Sequence, residues 1–332
     1  MKNESRFRVL IVGCGQLGSR HLQAVATLPF VKTIEVVDTR PDAIELGRKR
    51  LQEIGLVNHE TRVRWMSSFT DASPEGDLCI VATQAEGRCE LVRVIAGQLG
   101  ISTFLLEKLV SPSVREYLDL LTYCRKKGLR VWVNCKTRAH ASHQHVKRNI
   151  PAGEPLILSV AGGNHGLASN GVHAADLFVF FDGTDRVEPT ASLIDPLLHP
   201  SKRGGHIFDL SGTIHAHSKT GSVFTLSLAS THQAPLQFSI VTSRYRALVD
   251  DMMKVFYESD ADSGWSWREV PFNANLMVSH MTREFVSGIL TRGHCELPTL
   301  EECFPAHRLI LDALRPHFNR LLVTDTESCP VT

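Results

Sequence analysis

The sequence predicts an α/β protein of two domains, with a doubly wound parallel sheet first and an α+β domain second. Strands alternate with helices over the first 135 residues, which is typical of parallel sheets. Strands then follow one another with few helices, which indicates a large, mostly antiparallel open sheet. The length of 332 residues fits two domains of about 100–200 residues each. We therefore predict domains at 1–135 and 136–332, with a C-terminal helix at 300–314 as a candidate to pack back on the first domain.

Composition narrows the functional class. Lys+Arg 36 against Asp+Glu 35 gives a net charge of +1, which disfavours generic nucleic-acid binding. No apolar run reaches the ~18 residues that span a bilayer, and the N-terminus lacks the pattern of a signal peptide. None of the eight cysteines forms a CxxC pair, and we expect reduced, buried thiols. These features predict a cytoplasmic protein without a metal site and without membrane or nucleic-acid partners.

Short β-branched runs predict the parallel sheet, and apolar residues at helical spacing predict the helices between its strands. The predicted strands are 8–12, 33–37, 62–66, 78–82, 103–106 and 130–133, and the predicted helices are 16–27, 41–54, 87–99 and 114–127.

The second half carries turn signals between its strand-like segments. The predicted strands are 155–160, 208–217, 223–231, 237–243 and 253–257, and the predicted helices are 172–181, 275–290 and 300–314. A glycine- and asparagine-rich loop is expected at 162–171.

The glycine-rich turn VGCGQLG follows the first strand and opens the first helix. Gly13 permits the tight turn, Gly15 lets the backbone approach a pyrophosphate, and Gly18 allows close packing of helix on strand. The helix N-terminus attracts the phosphate charge. Asp38 ends the second strand, 20 residues after Gly18, where a carboxylate binds the adenosine ribose. We predict a dinucleotide site that also includes Gln16 and Leu17.

The end of the second strand also bears on the choice of dinucleotide. A carboxylate at Asp38 repels a 2′-phosphate and favours NAD, whereas Arg40 could pair with that phosphate. The sequence favours NAD and leaves NADP open.

Two further segments carry candidate chemistry. Lys108 follows the strand at 103–106, at the edge where open α/β sheets bind ligands, and an ammonium there could stabilise an alkoxide or move a proton. His173 and Asp176 lie three residues apart on one predicted helix, so the carboxylate could orient a histidine that shuttles protons. Taken alone, Lys108 is more typical of a solvated surface residue, and His173 and Asp176 are more typical of a helix start whose side chains bond nearby backbone groups.

Five segments together resemble the glucose–fructose oxidoreductase / inositol dehydrogenase / MocA family: VGCGQLGSRHLQA, VVDTRPD, LLEKLV, WVNCKTRAH and GVHAADLFVFFDG. The resemblance is stronger in the first half than in the second. It implies an N-terminal Rossmann domain, a second domain whose open sheet forms a homodimer or homotetramer, and nicotinamide-dependent oxidation of sugars, cyclitols or nucleotide sugars.

The resemblance also implies roles for individual residues. Lys108 corresponds to the lysine of a Glu-Lys-Pro motif that contacts nicotinamide and substrate, and His173 and Asp176 match the family's GxHxxD helix start. The implied cofactor contacts are Gly13, Gly15, Gln16, Leu17, Gly18, Asp38, Arg40, Thr83, Glu107 and Lys108. The implied substrate contacts are Lys108, Asn134, Asn164, Asn170, His173 and Asp176.

The sequence departs from the family pattern beside the expected nicotinamide pocket. Leu109 replaces the motif's proline, so the Lys108–Leu109 peptide bond need not be cis. Gln84 follows Thr83 where a proline is common, and Arg88 takes the place of a histidine; this arginine suits either an anionic ligand group or a solvated surface. The favoured function is hydride transfer between NAD(H) and a secondary alcohol or ketone. The alternatives are a non-catalytic dinucleotide sensor and a reductase of a non-sugar substrate such as an imine or tetrapyrrole.

Overall fold

A computed structural model describes residues 7–55, 62–164, 166–272 and 276–332. The chain divides into two compact units. The first unit comprises Met1–Ser111, Tyr117–Asn134 and Asn275–Leu300, and the second comprises Pro112–Glu116, Cys135–Ala274 and Glu301–Thr332. No helix in the described ranges is long and apolar enough to cross a membrane.

The first unit is built on a parallel sheet. Among the described residues it has six strands in the order β3-β2-β1-β4-β5-β6, with every neighbouring pair parallel. This order reverses between β1 and β4, the switch point where doubly wound sheets bind ligands. The predicted α/β class and all six predicted strands are confirmed. The strands are β1 (Phe7–Val12), β2 (Val31–Val37), β3 (Val63–Met66), β4 (Leu78–Val81), β5 (Thr103–Leu106) and β6 (Arg130–Val133).

Four helices connect these strands. They are α1 (Gly18–Ala26), α2 (Pro41–Gln52), α3 (Arg88–Leu99) and α4 (Val114–Lys127). Residues 9–12 of β1, all of β4 and residues 104–106 of β5 are apolar and almost fully buried, as expected of strands covered by helices on both faces. The sheet therefore provides a rigid edge at the carboxyl ends of its strands, where the candidate cofactor residues lie.

The second unit is not formed by one continuous segment of the chain. Helix α7 (Val278–Arg292) belongs to the first unit, where its Thr282 lies 2.9 Å from the ring of His21 on α1. The chain then passes β6, where Val133 donates a backbone hydrogen bond to Pro298. The structure thus differs from the expected 136–332 division because 275–300 completes the first unit. Asn275, which began the predicted helix, lies outside the described residues.

The last helix is longer than expected. Helix α8 (Leu300–Leu322) continues eight residues past the predicted end at 314, with two prolines inside it. From Glu301 onward it groups with the second unit rather than with the first.

The second unit is built on a large sheet with mainly antiparallel pairing. Among the described residues its eight strands run in the order β16-β15-β14-β13-β7-β12-β11-β8, and only β7 and β12 pair in parallel. Side chains of β12 alternate between buried and half-buried, so one face of the sheet forms the core. This confirms the predicted antiparallel sheet. The strands are β7 (Ile157–Gly163), β8 (Val187–Ile194), β11 (Gly212–Ser218), β12 (Val223–Ala229), β13 (Gln237–Val241), β14 (Tyr245–Asp250), β15 (Val255–Asp260) and β16 (Arg268–Glu269), beside a hairpin of β9 (His199–Pro200) and β10 (Phe208–Asp209).

Two helices of this unit differ from the prediction. Helix α5 (Ala141–Asn149) was not predicted, and α6 (Leu167–Asp182) begins five residues before the expected start. The early start follows from Asp209, whose carboxylate accepts hydrogen bonds from the backbone N–H groups of Ala168 and Ser169. The expected loop at 162–171 is therefore reduced to the few residues between β7 and α6, of which His165 lies outside the described residues.

Buried histidines attach α5 to the sheet. His140 Nδ1 and His143 Nε2 lie 2.7 and 2.9 Å from one Asp251 oxygen, and Ser142 donates to the other. Burial lowers the pKa of His140, although Asp251 partly opposes this effect. His140, His143 and Asp251 offer ligand atoms within 4.8 Å of one another, so the expected absence of a metal stays a prediction.

We predict that the protein loses stability as the pH falls from 7.5 to 5.5. An unfolded histidine takes up a proton near pH 6.5, whereas burial keeps His140 neutral below that pH, so protons favour the unfolded chain. Urea denaturation followed by circular dichroism measures the pH slope of the unfolding free energy. The slope should shrink in His140→Gln and stay unchanged in His215→Gln, whose histidine is exposed on β11. An undiminished slope in His140→Gln would contradict this assignment.

Candidate functional site

The glycine turn between β1 and α1 has two packed glycines and one open glycine. A Cβ at Gly13 would lie 2.9 Å from the backbone of Ala82, and Gly13 has a φ of +88°. A Cβ at Gly18 would lie 1.8 Å from the carbonyl oxygen of Gly13. At Gly15, by contrast, the nearest atom is Nη2 of Arg40 at 3.6 Å. Gly13 and Gly18 are thus required by the fold, and Gly15 leaves space beside the helix N-terminus for a ligand's phosphates.

Arg50 fixes the conformation of the same turn. Its guanidinium donates to the backbone oxygen and side-chain oxygen of Gln16 and, at 2.6 Å, to Ser19 Oγ. Gln16 itself is exposed and Leu17 is half-buried, so both stay at the rim of the turn. Arg50 was not predicted, because this residue lies in the last turn of α2 and no motif connects that position to the glycines.

Asp38 joins the ends of β1 and β2. Its two carboxylate oxygens accept hydrogen bonds from the backbone N–H groups of Cys14, at 2.7 Å, and Arg40, at 2.9 Å. A carboxylate oxygen can accept a second hydrogen bond, so this geometry leaves capacity for ribose hydroxyls. The Arg40 guanidinium is largely exposed and flanks Gly15. The residues therefore fit an adenine dinucleotide, with an acid and a cation both present at its ribose end.

Cys14 is a packing residue of the turn. Its thiol is buried and would contact a Cβ added at Gly47 of α2. Burial, and then the Asp38 charge, raise the pKa of Cys14 to about 12, which keeps the thiol protonated and unreactive.

A buried carboxylate lies directly after β5. Glu107 accepts hydrogen bonds from His21 Nε2 at 2.8 Å and Asn134 Nδ2 at 2.6 Å, and His21 Nδ1 in turn contacts Thr282 Oγ1. Burial alone would raise the pKa of Glu107, but His21, Asn134 and the nearby Lys108 charge together lower it to about 2. Glu107 and Asn134, which were expected at the cofactor and the substrate, are therefore bonded to each other.

Lys108 follows this carboxylate and is only 7% exposed. The Lys108–Leu109 peptide bond is cis, although leucine replaces the proline of the family motif. Thr83, another expected cofactor contact, is half-buried after the end of β4, and its hydroxyl donates to the Gln84 carbonyl at 3.2 Å.

Arg88 corrects the sequence-based expectation. It is 1% exposed and donates to the backbone carbonyls of Thr83, Glu107 and Leu109. This burial rules out the solvated surface that was one of its two expected settings. Instead, the guanidinium connects the end of β4 to the backbone on both sides of Lys108.

In the second unit, Asp176 is fully buried on α6 and bonded to Arg138. Arg138 Nε lies 2.8 Å from Asp176 Oδ2, and Arg138 Nη2 lies 2.6 Å from Oδ1, which is a bidentate pair. Burial raises the pKa of Asp176, although Arg138 opposes this effect. The pair anchors the 3-10 turn Lys136–Ala139 to α6. His173, one turn before Asp176 on the helix, is half-buried. Arg138 was missed because the TRAH segment carries no spacing signal.

Asn164 and Asn170, two expected substrate contacts, line one cavity of the second unit. Asn164 ends the turn after β7 with a φ of +53°, and its N–H donates to Ala229. Asn170 lies in the first turn of α6. The cavity has a volume of about 510 Å³.

Comparison with known families supports the resemblance seen in the sequence. Residues 7–135 match the model of GFO_IDH_MocA, described as an oxidoreductase family with an NAD-binding Rossmann fold. A search of curated proteins found no match.

Solved structures share the fold at low identity. UDP-N-acetylglucosamine 3-dehydrogenase GnnA from Acidithiobacillus ferrooxidans is 16% identical with a TM-score of 0.70, over 94% of this chain and 96% of that one. The 3-ketoreductase KijD10 from Actinomadura kijaniata, in complex with NADP, is 16% identical with a TM-score of 0.70, over 93% and 97%. An oxidoreductase from Agrobacterium radiobacter, in complex with NAD+, L-tartaric acid and magnesium, is 13% identical with a TM-score of 0.73, over 95% and 97%. These likenesses show the fold along nearly the whole chain.

We predict opposite effects of alanine at two glycines of the turn. Gly18→Ala should destabilise the fold by about 1–3 kcal/mol or more, because its Cβ would overlap the Gly13 carbonyl. Gly15→Ala should fold normally and bind NADH about tenfold more weakly, since the added methyl occupies space open to the pyrophosphate. Thermal denaturation and NADH fluorescence titration separate the two effects. Wild-type NADH affinity in Gly15→Ala would refute the cofactor assignment.

Proposed function

We propose, on the premise that residues 7–135 belong to the NAD-binding oxidoreductase family GFO_IDH_MocA, that this protein is a nicotinamide-dependent sugar oxidoreductase. It transfers a hydride between NAD(H) and a secondary alcohol or ketone of a sugar, cyclitol or nucleotide sugar. The observation that carries the proposal is the open Gly15 at the N-terminus of α1, flanked by the Asp38 carboxylate.

NAD is the proposed cofactor. The Asp38 carboxylate is held in place by two backbone N–H groups and would face a 2′-phosphate with a like charge. Arg40 is the residue that would bind NADP instead, but its guanidinium already lies within ion-pair distance of the Asp38 and Asp42 carboxylates. When bound, the nicotinamide supplies or accepts the hydride.

Two side chains carry the proposed proton and charge chemistry. Lys108 stabilises the negative charge that develops on the substrate oxygen, because its ammonium is almost fully buried and a buried charge acts more strongly than a solvated one. His173 is the proposed group that takes up or returns the proton of a substrate hydroxyl. Asp176, bonded to Arg138, keeps the polypeptide beside His173 in place rather than moving a proton itself.

The substrate class is proposed from the polar side chains of the second unit and from the activities for which the structural neighbours are named. Asn164 and Asn170 supply amide groups that bind hydroxyls, while Asn134 acts indirectly through Glu107. GnnA is a UDP-N-acetylglucosamine dehydrogenase and KijD10 a 3-ketoreductase, which favours a secondary carbinol of a sugar ring.

The cellular setting is proposed from the cysteines and the open sheet. All eight cysteines are free thiols, and seven are buried, which suits a reducing cytoplasm. The outward face of the large sheet exposes Ile157, Val241 and Tyr257, and we propose that it pairs with a second copy to form a homodimer or homotetramer.

We predict that the protein binds NADH more tightly than NADPH and that Asp38→Asn reduces this discrimination about tenfold. Asparagine keeps an oxygen for the Cys14 N–H but removes the charge that opposes a 2′-phosphate. Side-by-side fluorescence titrations of NADH and NADPH measure the ratio. Arg40→Ala serves as the opposite control and should weaken NADPH more than NADH. A protein that binds neither dinucleotide would overturn the proposed function.

We predict that Lys108→Ala lowers kcat about 100-fold or more and leaves NADH affinity within about threefold. The ammonium acts on charge that develops in the reaction, so its loss affects turnover rather than cofactor binding. Steady-state kinetics with a panel of sugars and nucleotide sugars give kcat, and fluorescence gives the affinity. Lys126→Ala, an exposed lysine on α4, is the matched control. Unchanged turnover in Lys108→Ala would contradict the role of this lysine.

A further inference from the structure

A cavity of about 510 Å³ lies within the second unit, beside the start of α6. Its volume is in the range of small-molecule sites. Its walls combine hydroxyl, amide, imidazole, carboxylate and cationic side chains with several apolar ones. The polar residues that bear on its chemistry are Asn164, Ser169, Asn170, Ser201, Lys202 and Arg203.

One wall of the cavity is an arm formed by residues 195–211. The arm is closed at its base by a backbone hydrogen bond from Asp195 to Ser211 and near its tip by one from Ser201 to Ile207. It is fixed to α6 by a hydrogen bond from Leu167 to Leu210. The arm is therefore an ordered part of the unit, and its tip stays beside the cavity.

The tip of the arm concentrates positive charge. Its sequence SKRGGH at 201–206 places Lys202 and Arg203 next to two glycines. Both cationic side chains are exposed, and Lys202 forms no ion pair with any residue of the described ranges. Arg203 Nη1 donates to the backbone oxygen of Thr332 at 3.2 Å, which orients its guanidinium.

Asp209 is an acidic residue of the cavity wall, and its charge is already compensated. Its carboxylate accepts hydrogen bonds from the N–H groups of Ala168, Ser169 and Leu210. It thereby occupies the N-terminus of α6, so an incoming anion would bind at the arm tip instead of at the helix.

Helix α6 connects the cavity to the proposed proton carrier. Ser169 and Asn170 line the cavity, and His173 follows Asn170 by three residues. Residues three apart are neighbours on a helix surface, so His173 lies next to Asn170 on the same face of α6.

We propose that this cavity binds the phosphate-bearing part of the substrate, with its phosphates at Lys202 and Arg203 and its sugar directed toward His173. The proposal rests on the proposed function, because it assigns the substrate of that same oxidoreductase. The ligand is either a sugar phosphate or a nucleoside diphosphate sugar, since both present the same oxyanions to the two cations.

Isothermal titration of the protein with UDP, glucose 1-phosphate and glucose tests the cavity without cofactor or turnover. We expect UDP or glucose 1-phosphate to bind and glucose to bind much more weakly. Tight binding of UDP alone identifies a nucleotide-linked substrate, and comparable binding of both phosphates identifies a sugar phosphate. If neither phosphate compound binds, the proposal is overturned.

The double variant Lys202→Ala/Arg203→Ala should weaken phosphate binding about tenfold or more. The matched control is Lys219→Ala/Arg244→Ala, which removes the same charge from exposed ion pairs outside the cavity. Equal weakening in both double variants would overturn the proposal, because it would reflect overall charge. Lys202→Gln is a second variant, which removes one positive charge at an exposed position; circular dichroism checks that it folds normally.

The proposed oxidoreductase function and the proposed phosphate site in the cavity can be refuted independently of each other. Phosphate binding that depends on Lys202, together with no hydride transfer to any sugar, would uphold the cavity and refute the oxidoreductase. Turnover of unphosphorylated sugars with NADH, together with no UDP or glucose 1-phosphate binding, would uphold the oxidoreductase and refute the cavity.

Discussion

The ionised carboxylate of Glu107 is the interaction on which the first unit depends. A buried charge is tolerated only when hydrogen bonds replace its water, and His21 and Asn134 supply these bonds. Through them, Glu107 connects the end of β5 to α1 and to the end of β6, and Thr282 extends the connection to α7. The backbone that presents Lys108 is thus held by side chains from three other elements. Arg88 completes this arrangement from the β4 side by donating to backbone carbonyl groups.

The second unit also contains buried charges, which are compensated by other residues. Asp176 and Arg138 are both buried and form a bidentate pair, so each charge compensates the other. The Asp251 carboxylate is likewise buried and is hydrogen-bonded by Ser142 and His143 of α5 and by His140 directly before it. In both units, acids that were expected at the cofactor or the substrate instead form buried hydrogen bonds and ion pairs within the fold. Buried ionised groups thus fix the backbone of each unit in place, while His173 on α6 is half-buried.

The sequence allowed prediction of the elements whose signals are local. The run Leu78–Val81 and the other five strands of the first sheet are short and mainly apolar, and the glycine turn has its own spacing, so both were predicted correctly. Helix α5 was missed because ASHQHVKRN has little apolar periodicity; its stability comes from Asp251, more than 100 residues away. Strand β8 was missed because it contains Pro189, which an edge strand tolerates. The roles of Glu107 and Arg88 depended on partners brought together only by folding, 86 and 21 residues away.

The return of the chain from the second unit to α7 has a consequence for synthesis on the ribosome. Translation delivers the six strands of the first sheet before residue 135, and domains commonly fold in the order in which they emerge. Here, α1 still lacks the buried side chains of α7, among them Met281 and Phe285, until about 150 further residues have been made. In the nascent chain, the face of α1 that packs against α7 therefore stays uncovered while the entire second sheet is translated. Holding chaperones would have their longest opportunity to bind at the surface of α1.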